Sequence, residues 1–417
     1  MKYLIIGNSA AGIACVEGIR QIDKKGSITI ISDEAHHTYS RPLISYYVQG
    51  KVSAEKIAYR KESFYKDNGV KLLSSSSVVK IEADKKSITL NDGKSLSYDK
   101  LLVATGSRAF VPPIKGVESI NDKTVFMTLD DAKKLESLIS PEKKVLIIGA
   151  GLIGLKCAEG ILTKVKTITV IDLAPHVLAS ILDSEGAALV QKHFEEKGVK
   201  FIFSKSVSSF SSSEGKGAKN IAVLDDGKKI DFDLVVLAAG VRPNTELLAG
   251  IAECGRGIVI NHKSETSSPD IYAAGDCTES MDVSSGQQRI MALLPNAYMQ
   301  GECAGINMAG GDKSFDKAIP MNAIGFMGMH MITAGNYTGE THCTISDGVY
   351  KKLFYSNNKL NGYIFIENIE KAGIYTSLIR EQTPLNTIDF ALICEKPGLM
   401  AFTKEVRAEK LGGSHGR

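Results

Sequence analysis

The sequence predicts an α/β protein with two parallel-sheet domains and a smaller α+β domain at its C-terminal end. The clearest sign is an internal repeat, because ITLNDGKSLSYDKLLVATG at 88–106 is similar to IAVLDDGKKIDFDLVVLAAG at 221–240. Each copy is typical of a hairpin with an Asp-Gly turn, followed by an apolar strand that ends in glycine. Upstream of each copy, an apolar strand, a glycine-rich loop, a helical pattern and a second strand follow in the order of a βαβ unit. After residue 311 this pattern stops, and two strands joined by an Asn-rich turn precede a helical stretch.

Length and composition restrict the class of protein. With 417 residues, the chain is long enough for two or three domains. Its 43% hydrophobic and 23% charged residues are typical of a soluble globular protein, and its net charge of +3 predicts no nucleic-acid binding. No apolar run reaches the length of a membrane span, and the chain begins with the strand KYLII rather than with a signal peptide. We therefore expect a cytoplasmic protein without a membrane partner.

The seven cysteines are scattered singly along the chain. They form no CxxC pair and no cluster with histidine at the spacing of a metal site. An odd number of cysteines in a chain of cytoplasmic character also argues against a disulfide framework. The sequence therefore predicts no metal centre.

The segment GAGLIG at 149–154 matches the dinucleotide-binding fingerprint GxGxxG. Gly149 permits the tight turn, Gly151 lets a pyrophosphate approach the backbone, and Gly154 lets the helix pack closely on the strand. Asp172 ends the next strand, where its carboxylate can bind ribose hydroxyls and repel the 2′-phosphate of NADP. Glycines also serve plain turns, but the strand before and the helix after favour a Rossmann-like domain that binds NAD. The candidate NAD-binding residues are Gly149, Gly151, Leu152, Ile153, Gly154, Asp172 and Gly240.

The segment GNSAAG, which begins at Gly7, is the equivalent loop of the first half, with Ser9 in place of the middle glycine. Gly7 and Gly12 keep the turn and the helix contact. Serine is small enough for the backbone to approach a phosphate, and its hydroxyl can donate a hydrogen bond to a phosphate oxygen. Asp33, followed by Glu34, ends the next strand as the expected ribose-binding acid. A plain structural turn is the alternative, but the repeat favours a second Rossmann-like, three-layer domain.

Four further segments point to a known family: YSRPLIS at 39–45, LLVATGSR at 101–108, LAAGVRPN at 237–244 and IYAAGDC at 271–277. Together with the two glycine loops, they resemble the FAD- and NAD-dependent pyridine nucleotide oxidoreductases of the glutathione-reductase-like plan. The resemblance covers about residues 1–311 and follows the order of the family's motifs. It implies FAD at the first loop and NAD at the second.

The resemblance also implies roles for individual residues. Arg41 and Pro42 would border the flavin, and Asp276 would hold the ribityl chain. Asn296 and Ala297 would lie at the N-terminus of a helix that faces the negative charge of the reduced flavin. A solvated cation, a helix cap and a plain amphipathic helix are the respective alternatives. The implied FAD site consists of Gly7, Ser9, Ala10, Ala11, Gly12, Asp33, Glu34, Arg41, Pro42, Val78, Ala104, Thr105, Gly106, Asp276, Asn296 and Ala297.

The same resemblance divides the chain into domains. Residues 1–107 and 241–311 would form a discontinuous FAD-binding domain, and residues 108–240 would form the NAD-binding domain. Residues 312–417 would form a small α+β interface domain, with a polar, Gly-rich tail from residue 405 that we expect to be disordered.

Cysteine positions distinguish the subclasses of this family. Its disulfide reductases carry CxxxxC on the first helix, where this chain has only Cys15, and other members carry one redox cysteine near residues 40–50, where this chain has Ser45. The chain therefore resembles the thiol-free members, such as NADH:rubredoxin oxidoreductase and the flavin part of NADH-dependent nitrite reductase. It departs from the family at Lys156, where a carboxylate is usual two residues after the third glycine, and it has Glu159 one turn further on. The contacts on the nicotinamide side stay open.

The expected activity is electron transfer from NADH through FAD to a small electron-carrier protein, either a rubredoxin or a ferredoxin-like protein. Hydride transfer to the flavin needs stacked rings rather than a side-chain acid or base, so we expect no catalytic side chain. Two alternatives stay open: an NADH oxidase that reduces oxygen at the flavin, and a flavoprotein that senses NADH without turnover. The sequence does not decide between a monomer and a homodimer.

Overall fold

The computed structural model describes residues 1–212, 220–403 and 406–407, so most of the tail predicted to be disordered lies outside the described residues. The described chain divides into two compact units. Unit 1 contains residues 1–279 and 294–315, and unit 2 contains residues 280–293 together with the chain from residue 316. No helix of the described residues is long and apolar enough to cross a membrane. The boundaries between FAD-binding and NAD-binding domains stay a prediction.

The α-helices of the described chain are α1 (Ala10–Ile22), α2 (Ile44–Gln49), α3 (Phe64–Asp67), α4 (Leu129–Leu138), α5 (Leu152–Ile161), α6 (Ser184–Glu196), α7 (Leu294–Met308), α8 (Ala372–Arg380) and α9 (Phe390–Glu395). Short 3₁₀ helices cover Arg41–Leu43, Ala54–Ile57, Val117–Ser119, Glu246–Leu248, Leu385–Thr387 and Leu399–Ala401.

The strands in the first part of the chain are β1 (Lys2–Ile6), β2 (Ser27–Ile31), β3 (Val70–Leu73), β4 (Val78–Glu82), β5 (Ser87–Leu90), β6 (Ser95–Ser97), β7 (Lys100–Val103), β8 (Ser107–Ala109), β9 (Lys123–Thr124), β10 (Lys144–Ile148), β11 (Thr167–Ile171), β12 (Val199–Ile202) and β13 (Val207–Ser212). The later strands are β14 (Asn220–Leu224), β15 (Lys229–Phe232), β16 (Leu234–Leu237), β17 (Val241–Pro243), β18 (Ile258–Val259), β19 (Ile271–Ala273), β20 (Thr278–Asp282), β21 (Gln287–Ile290), β22 (Met321–Phe326), β23 (Met329–Gly335), β24 (Glu340–Ser346), β25 (Val349–Ser356) and β26 (Lys359–Ile366).

Two five-stranded parallel sheets in unit 1 repeat one plan. Their strand orders are β19-β7-β1-β2-β3 and β12-β11-β10-β16-β9. In the first sheet Ile6 pairs with Ile31 and with Val103, and in the second Ile148 pairs with Ile171 and Leu237. The predicted α/β class with two Rossmann-like sheets is thereby confirmed. In each half the glycine loop therefore lies at the carboxyl edge of its sheet, where ligands bind in open α/β folds.

The repeated hairpins form small antiparallel sheets, β4-β5-β6 and β13-β14-β15. Gly93 and Gly227, the glycines of the two Asp-Gly turns, both have φ +83°. This left-handed backbone suits glycine and explains why both copies keep that residue at the turn. After the hairpins the chain crosses between the sheets twice, at β8 and β17, which pair as an antiparallel ribbon.

Unit 2 is built on the antiparallel sheet β22-β23-β26-β25-β24 with helices α8 and α9. Tyr363, Phe365 and Tyr375 lie in its core with exposed fractions of 1% or less. The Tyr375 hydroxyl donates to the backbone oxygen of Ile393, so this buried polar group is satisfied. The predicted C-terminal α+β fold is confirmed, although residues 280–293 also belong to this unit.

Candidate active site

The first glycines of the two loops have the same backbone geometry. Gly7 has φ +117° and Gly149 has φ +113°. A β-carbon on Gly7 would lie 2.1 Å from the oxygen of Ala104, and one on Gly149 would lie 2.2 Å from the oxygen of Ala238. Any other residue would clash with the neighbouring strand exit and strain the backbone at both positions.

The third glycines are also fixed by contact. A β-carbon on Gly12 would lie 2.0 Å from the oxygen of Gly7, and one on Gly154 would lie 2.0 Å from the oxygen of Gly149. Helices α1 and α5 therefore start directly against their own loops. Both helices begin at the carboxyl edge of a parallel sheet.

The middle positions, Ser9 and Gly151, have backbone angles that do not require glycine. Each is the N-cap residue of its helix, with φ −109° at Ser9 and φ −78° at Gly151, values that any residue can adopt. A β-carbon on Gly151 would meet no atom within 4 Å. Protein packing therefore does not require glycine at this position, and Ser9 is compatible with the same loop geometry.

The N-termini of α1 and α5 are suited to an anion. Neither helix has a side-chain cap or an acidic residue in its first turn. By contrast, Thr128 caps α4 and Asp183 caps α6, and both of those helices carry acidic residues in the first turn. The uncapped N–H groups of Ala10, Ala11, Leu152 and Ile153 are thus placed where the resemblance implies a pyrophosphate. These loops fit the phosphates of FAD and NAD.

The two acids predicted at the end of β2 have different surroundings. Asp33 is exposed, and within the described residues no hydrogen bond or ion pair engages its carboxylate. Glu34 instead accepts hydrogen bonds from Arg41 (Nη2–Oε1, 2.5 Å) and from the hydroxyl of Tyr39 (2.7 Å). The structure therefore leaves Asp33 available to a ribose, whereas Glu34 positions Arg41.

Asp172 lies beside the second glycine loop. Its Oδ2 accepts a hydrogen bond from the backbone N–H of Ala150 (2.5 Å), and its Oδ1 accepts one from Ala174 (2.8 Å). Each carboxylate oxygen keeps further acceptor capacity for ribose hydroxyls. These two bonds hold the carboxylate beside the glycine loop, and its repulsion of a 2′-phosphate stays a prediction.

Arg41 is held by contacts that sequence reasoning did not find. Its Nη1 donates to the backbone oxygen of Met127 (3.2 Å), and its guanidinium carbon lies 5.6 Å from the ring centre of Tyr39. The Tyr39 hydroxyl also accepts from the N–H of Leu129 (3.0 Å). Pro42 lies in the 3₁₀ helix that immediately precedes α2. Tyr39 lies in the motif YSRPLIS, but its contact with residues 127–129 is long-range and leaves no local signal.

The strand exit after β7 is linked to the return crossing. The Thr105 hydroxyl donates to the oxygen of Asn244 (2.7 Å), and the Asn244 amide donates to the oxygen of Thr105 (2.9 Å). Gly106 has φ +64°, and Gly240, at the matching exit of the second sheet, has φ +108°. Ala104 is buried and provides the oxygen that faces Gly7. These reciprocal bonds fix the backbone that the resemblance implies beside the flavin.

Asp276 lies after β19 at the same carboxyl edge. Burial raises the pKa of its carboxyl group, while the hydrogen bond from the Ser107 hydroxyl (3.3 Å) and the charge of Arg41 act in the opposite direction. A half-buried carboxylate with one weak partner fits a ligand that brings hydroxyl donors, as a ribityl chain would. The structure thus brings Asp276 and Arg41 into one electrostatic environment.

Helix α7 packs against α1 through glycine. β-carbons on Gly301 and Gly305 would lie 2.1 and 2.2 Å from backbone oxygens of α1. The Gln300 side chain of α7 accepts from the N–H of Gly275 (2.8 Å), next to Asp276. Asn296 and Ala297, in the first turn of α7, are therefore carried to the carboxyl edge of the first sheet, and both are buried. Val78, at the start of β4, is partly buried and packs against the apolar cluster that contains Ile31 at the end of β2.

Lys156 and Glu159 form an ion pair on α5 (Nζ–Oε2, 2.7 Å). The Glu159 side chain is 4% exposed and that of Lys156 is 20% exposed. The Lys156 nitrogen also lies 5.1 Å from the ring centre of Tyr46 on α2. Lys156, the residue that departs from the family pattern, thus forms a charge pair with Glu159 where α5 contacts α2.

The two positions at which other members of the family carry redox cysteines, Cys15 and Ser45 in this chain, are both buried. Ser45, near the start of α2, is buried, and its hydroxyl donates to the oxygen of Pro42 (3.3 Å). Cys15 on α1 is fully buried, and burial raises the pKa of its thiol. Buried thiols with a raised pKa are poor nucleophiles. Among the described residues, no group of three or more His, Cys, Asp or Glu side chains is placed to bind a metal.

Comparison with known proteins gives one family. The model of the pyridine nucleotide-disulphide oxidoreductase family matches residues 1–301, well over half of the chain. This match includes both glycine loops, the two crossings between the sheets and the segment with Asp276.

Several curated proteins are similar to this chain. It is 32% identical over 397 residues to the epsilon subunit of NADH-dependent phenylglyoxylate dehydrogenase from Aromatoleum evansii, and the alignment covers 93% of each chain. It is 30% identical over 312 residues to rubredoxin-NAD(+) reductase from Pseudomonas putida, covering 74% of this chain and 80% of that protein. It is 34% identical over 326 residues to an NADH oxidase from Methanocaldococcus jannaschii, covering 76% and 71%.

Among solved structures, a ferredoxin reductase from Rhodopseudomonas palustris superposes with a TM-score of 0.84. The two sequences are 26% identical, and the match covers 92% of this chain and 95% of the other.

Proposed function

Because the chain belongs to the pyridine nucleotide-disulphide oxidoreductase family, we propose that it passes electrons from NADH through FAD to a small carrier protein, a rubredoxin or a ferredoxin-like protein. The chain is an oxidoreductase whose cofactors are FAD and NAD(H). The identity of the acceptor and the roles of the individual site residues are the proposed part, as are a cytoplasmic location and a monomeric or dimeric state.

One observation carries the choice of acceptor, namely the absence of a thiol in residues 39–49, which contain YSRPLIS and the rest of α2 and which we name the flavin-side segment. Ser45 occupies the start of α2, where thiol-dependent members of the family hold a redox cysteine, and it is buried and bonded to Pro42. A serine hydroxyl cannot store electrons. A protein without a sulfur relay has to deliver electrons from the flavin directly, which suits a one-electron carrier.

FAD, when bound, accepts a hydride from NADH and can release its electrons singly. The chain's own residues bind and orient the two dinucleotides. The N–H groups at the start of α1 and α5 bind the pyrophosphates, Asp33 and Asp172 bind ribose hydroxyls, and Asp276 accepts hydrogen bonds from the ribityl chain. The first turn of α7 directs N–H groups at the pyrimidine side of the flavin, where negative charge develops.

The relatives support this choice without naming the partner. The rubredoxin-NAD(+) reductase of Pseudomonas putida and the ferredoxin reductase of Rhodopseudomonas palustris are named for carrier proteins. The relative from Aromatoleum evansii is named as a subunit of an NADH-dependent dehydrogenase, which supports a protein as the electron acceptor.

A second candidate function is an NADH oxidase. The similarity to the oxidase of Methanocaldococcus jannaschii favours it, because this identity of 34% exceeds the 32% and 30% to the relatives from Aromatoleum evansii and Pseudomonas putida. Reduced flavins also react with oxygen without any further protein group. In this case electrons would leave the flavin to oxygen rather than to a protein.

A steady-state acceptor assay separates these functions. The purified flavoprotein is mixed with NADH and, in parallel, with oxidised rubredoxin, a [2Fe–2S] ferredoxin, oxygen, or ferricyanide, a high-potential acceptor that serves as a control for flavin reduction. We expect the carrier proteins to be reduced at least about tenfold faster than oxygen. Faster oxygen uptake than carrier reduction would favour the oxidase, and slow turnover with every acceptor would favour the NADH sensor.

A further inference from the structure

We infer that Lys156, held by Glu159, makes the nicotinamide pocket prefer NADH to NAD⁺. The inference rests on the proposed oxidation of NADH. It concerns the position on α5, two residues after the third glycine, where the sequence departs from the expected family pattern. Its basis is the location of an ammonium group between the NAD loop and the flavin-side segment.

The location follows from the packing of α5 on α2. Lys156 lies one turn after the start of α5, beyond the proposed pyrophosphate-binding N–H groups. Its nitrogen lies 5.1 Å from the ring centre of Tyr46. A β-carbon on Gly160 would lie 3.2 Å from the backbone oxygen of Ser45, so the two helices are in close contact one turn later.

The direction of the bound dinucleotide follows from the same contact. Helix α2 continues directly from the 3₁₀ helix that contains Arg41 and Pro42, which are the expected flavin neighbours. A dinucleotide with its phosphates at the start of α5 has to extend toward α2 for the nicotinamide to reach the flavin. Its nicotinamide ring would therefore pass the position of Lys156.

The ion pair has a defined orientation. The Glu159 carboxylate is the deeper end, with 4% exposure, and the Lys156 ammonium is the more accessible end, with 20% exposure. The burial of Glu159 holds the ammonium in place, because a buried carboxylate without its cation would be costly. A ligand that approaches along α5 therefore meets the positive end of the pair first.

The two nicotinamide states differ by one charge. The ring of NAD⁺ is cationic and that of NADH is neutral, so a nearby ammonium in a partly buried pocket weakens the binding of NAD⁺ only. A carboxylate at this position would have the opposite effect. We therefore expect NAD⁺, the oxidised product, to be released faster than it would be without Lys156. The ion pair thus discriminates between the two nicotinamide states.

The test is equilibrium binding to the oxidised holoprotein by calorimetry, with NAD⁺ and with tetrahydro-NAD, a neutral analogue of NADH that cannot transfer hydride. The quantity compared is the ratio of the dissociation constants, NAD⁺ over tetrahydro-NAD. Lys156→Gln should lower this ratio by roughly threefold to tenfold. Lys156→Arg should preserve it, and Glu159→Gln should raise it, because the negative charge that offsets the ammonium in this ion pair is removed.

A matched control is Lys164→Gln, which removes a lysine just beyond α5 that pairs with Glu136 at 3.8 Å. It should leave the ratio unchanged. If Glu159→Gln does not fold, the Lys156 variants still decide the outcome.

Equal weakening of both ligands in Lys156→Gln, with an unchanged ratio, would overturn the inference, because it would indicate a merely structural pair. This failure is distinct from that of the proposed function. If NADH does not bleach the flavin of the wild-type protein, the proposed function fails first.

Discussion

Ser9 and Gly151 occupy the same position in the two halves of the chain, as the N-cap residues of α1 and α5, and neither caps its helix with a side chain. The flanking glycines are confined by backbone oxygens about 2 Å from a hypothetical β-carbon, whereas no atom confines the middle position of the second loop. Within each loop, the outer glycines therefore serve the fold, and we predict that the middle residue serves the ligand.

This difference predicts opposite outcomes for two substitutions in the first loop. Gly7→Ala should lose most of the bound FAD, because its β-carbon would clash with Ala104 and its φ of +117° would be strained by roughly 1–3 kcal/mol. Ser9→Gly should retain FAD. The flavin content per protein after gel filtration measures both variants, and loss of FAD in Ser9→Gly alone would contradict the account.

The second loop offers the same comparison for NADH. Gly149→Ala should keep FAD but abolish rapid flavin reduction by NADH, because the β-carbon would lie 2.2 Å from the oxygen of Ala238. Gly151→Ser, which copies the first loop, should fold normally and raise the KM for NADH by less than about tenfold, since it adds one hydroxyl beside the phosphates. Stopped-flow reduction by NADH checks both variants. A Gly151→Ser protein that fails to fold would show that packing does constrain this position.

Asp172 should set the preference for NADH over NADPH. Its carboxylate accepts a hydrogen bond from the N–H of Ala150, and we expect it to face the 2′-position of the bound ribose. Asp172→Ala should lower the ratio of kcat/KM for NADH to that for NADPH by at least about tenfold, since one repulsive charge is removed. Asp33→Ala is the matched control: it should weaken FAD retention and leave that ratio unchanged. An unaltered ratio in Asp172→Ala would exclude this role.

Asp276 should stabilise FAD binding but lower the stability of the flavin-free protein at neutral pH. Burial raises the pKa of its carboxyl group above the unfolded value of about 3.9, so the folded chain binds the proton more tightly than the unfolded chain. Its contribution to stability is therefore present below the unfolded pKa and is lost as pH rises through the folded pKa. Asp276→Asn should raise the Tm of flavin-free protein at neutral pH, with little change at pH 3.5, and should weaken FAD binding.

Thermal unfolding across this pH range measures the first effect, and fluorescence titration with FAD measures the second. Ser107→Ala, which removes the hydroxyl that bonds to Asp276, should shift the Tm the other way at neutral pH. A lower Tm of Asp276→Asn at neutral pH would contradict the proposed cost of the buried charge.

The repeat in the sequence predicted most of unit 1. Strand, glycine loop and helix are local patterns, and the Asp-Gly turns at Gly93 and Gly227 are specified by neighbouring residues, so both sheets could be inferred. Contacts between distant segments could not be inferred from the sequence. The sequence predicted Asp33 as the ribose-binding acid and included Glu34 in the same site. It did not indicate that Glu34 contacts Arg41 and Tyr39, or that the Tyr39 hydroxyl accepts a hydrogen bond from the N–H of Leu129.

Long-range packing also determines the surroundings of Lys156 and the grouping of residues 280–293, which precede α7. The sequence showed that Lys156 departs from the expected pattern, but its contact with Tyr46 depends on the packing of α2 against α5. Residues 280–293 carry no motif, so nothing local indicated that they group with the C-terminal unit. Tertiary packing decided each of these features.

The most direct measurement of the central claim is an anaerobic titration of the flavoprotein with NADH, followed by rapid mixing with an oxidised carrier. We predict complete bleaching of the flavin by about one NADH per FAD, because no thiol pair takes up further electrons, and subsequent reoxidation by rubredoxin or ferredoxin that outpaces reoxidation by oxygen. Uptake of about two NADH per FAD, or reoxidation by oxygen alone, would contradict direct electron transfer from the flavin to a carrier protein.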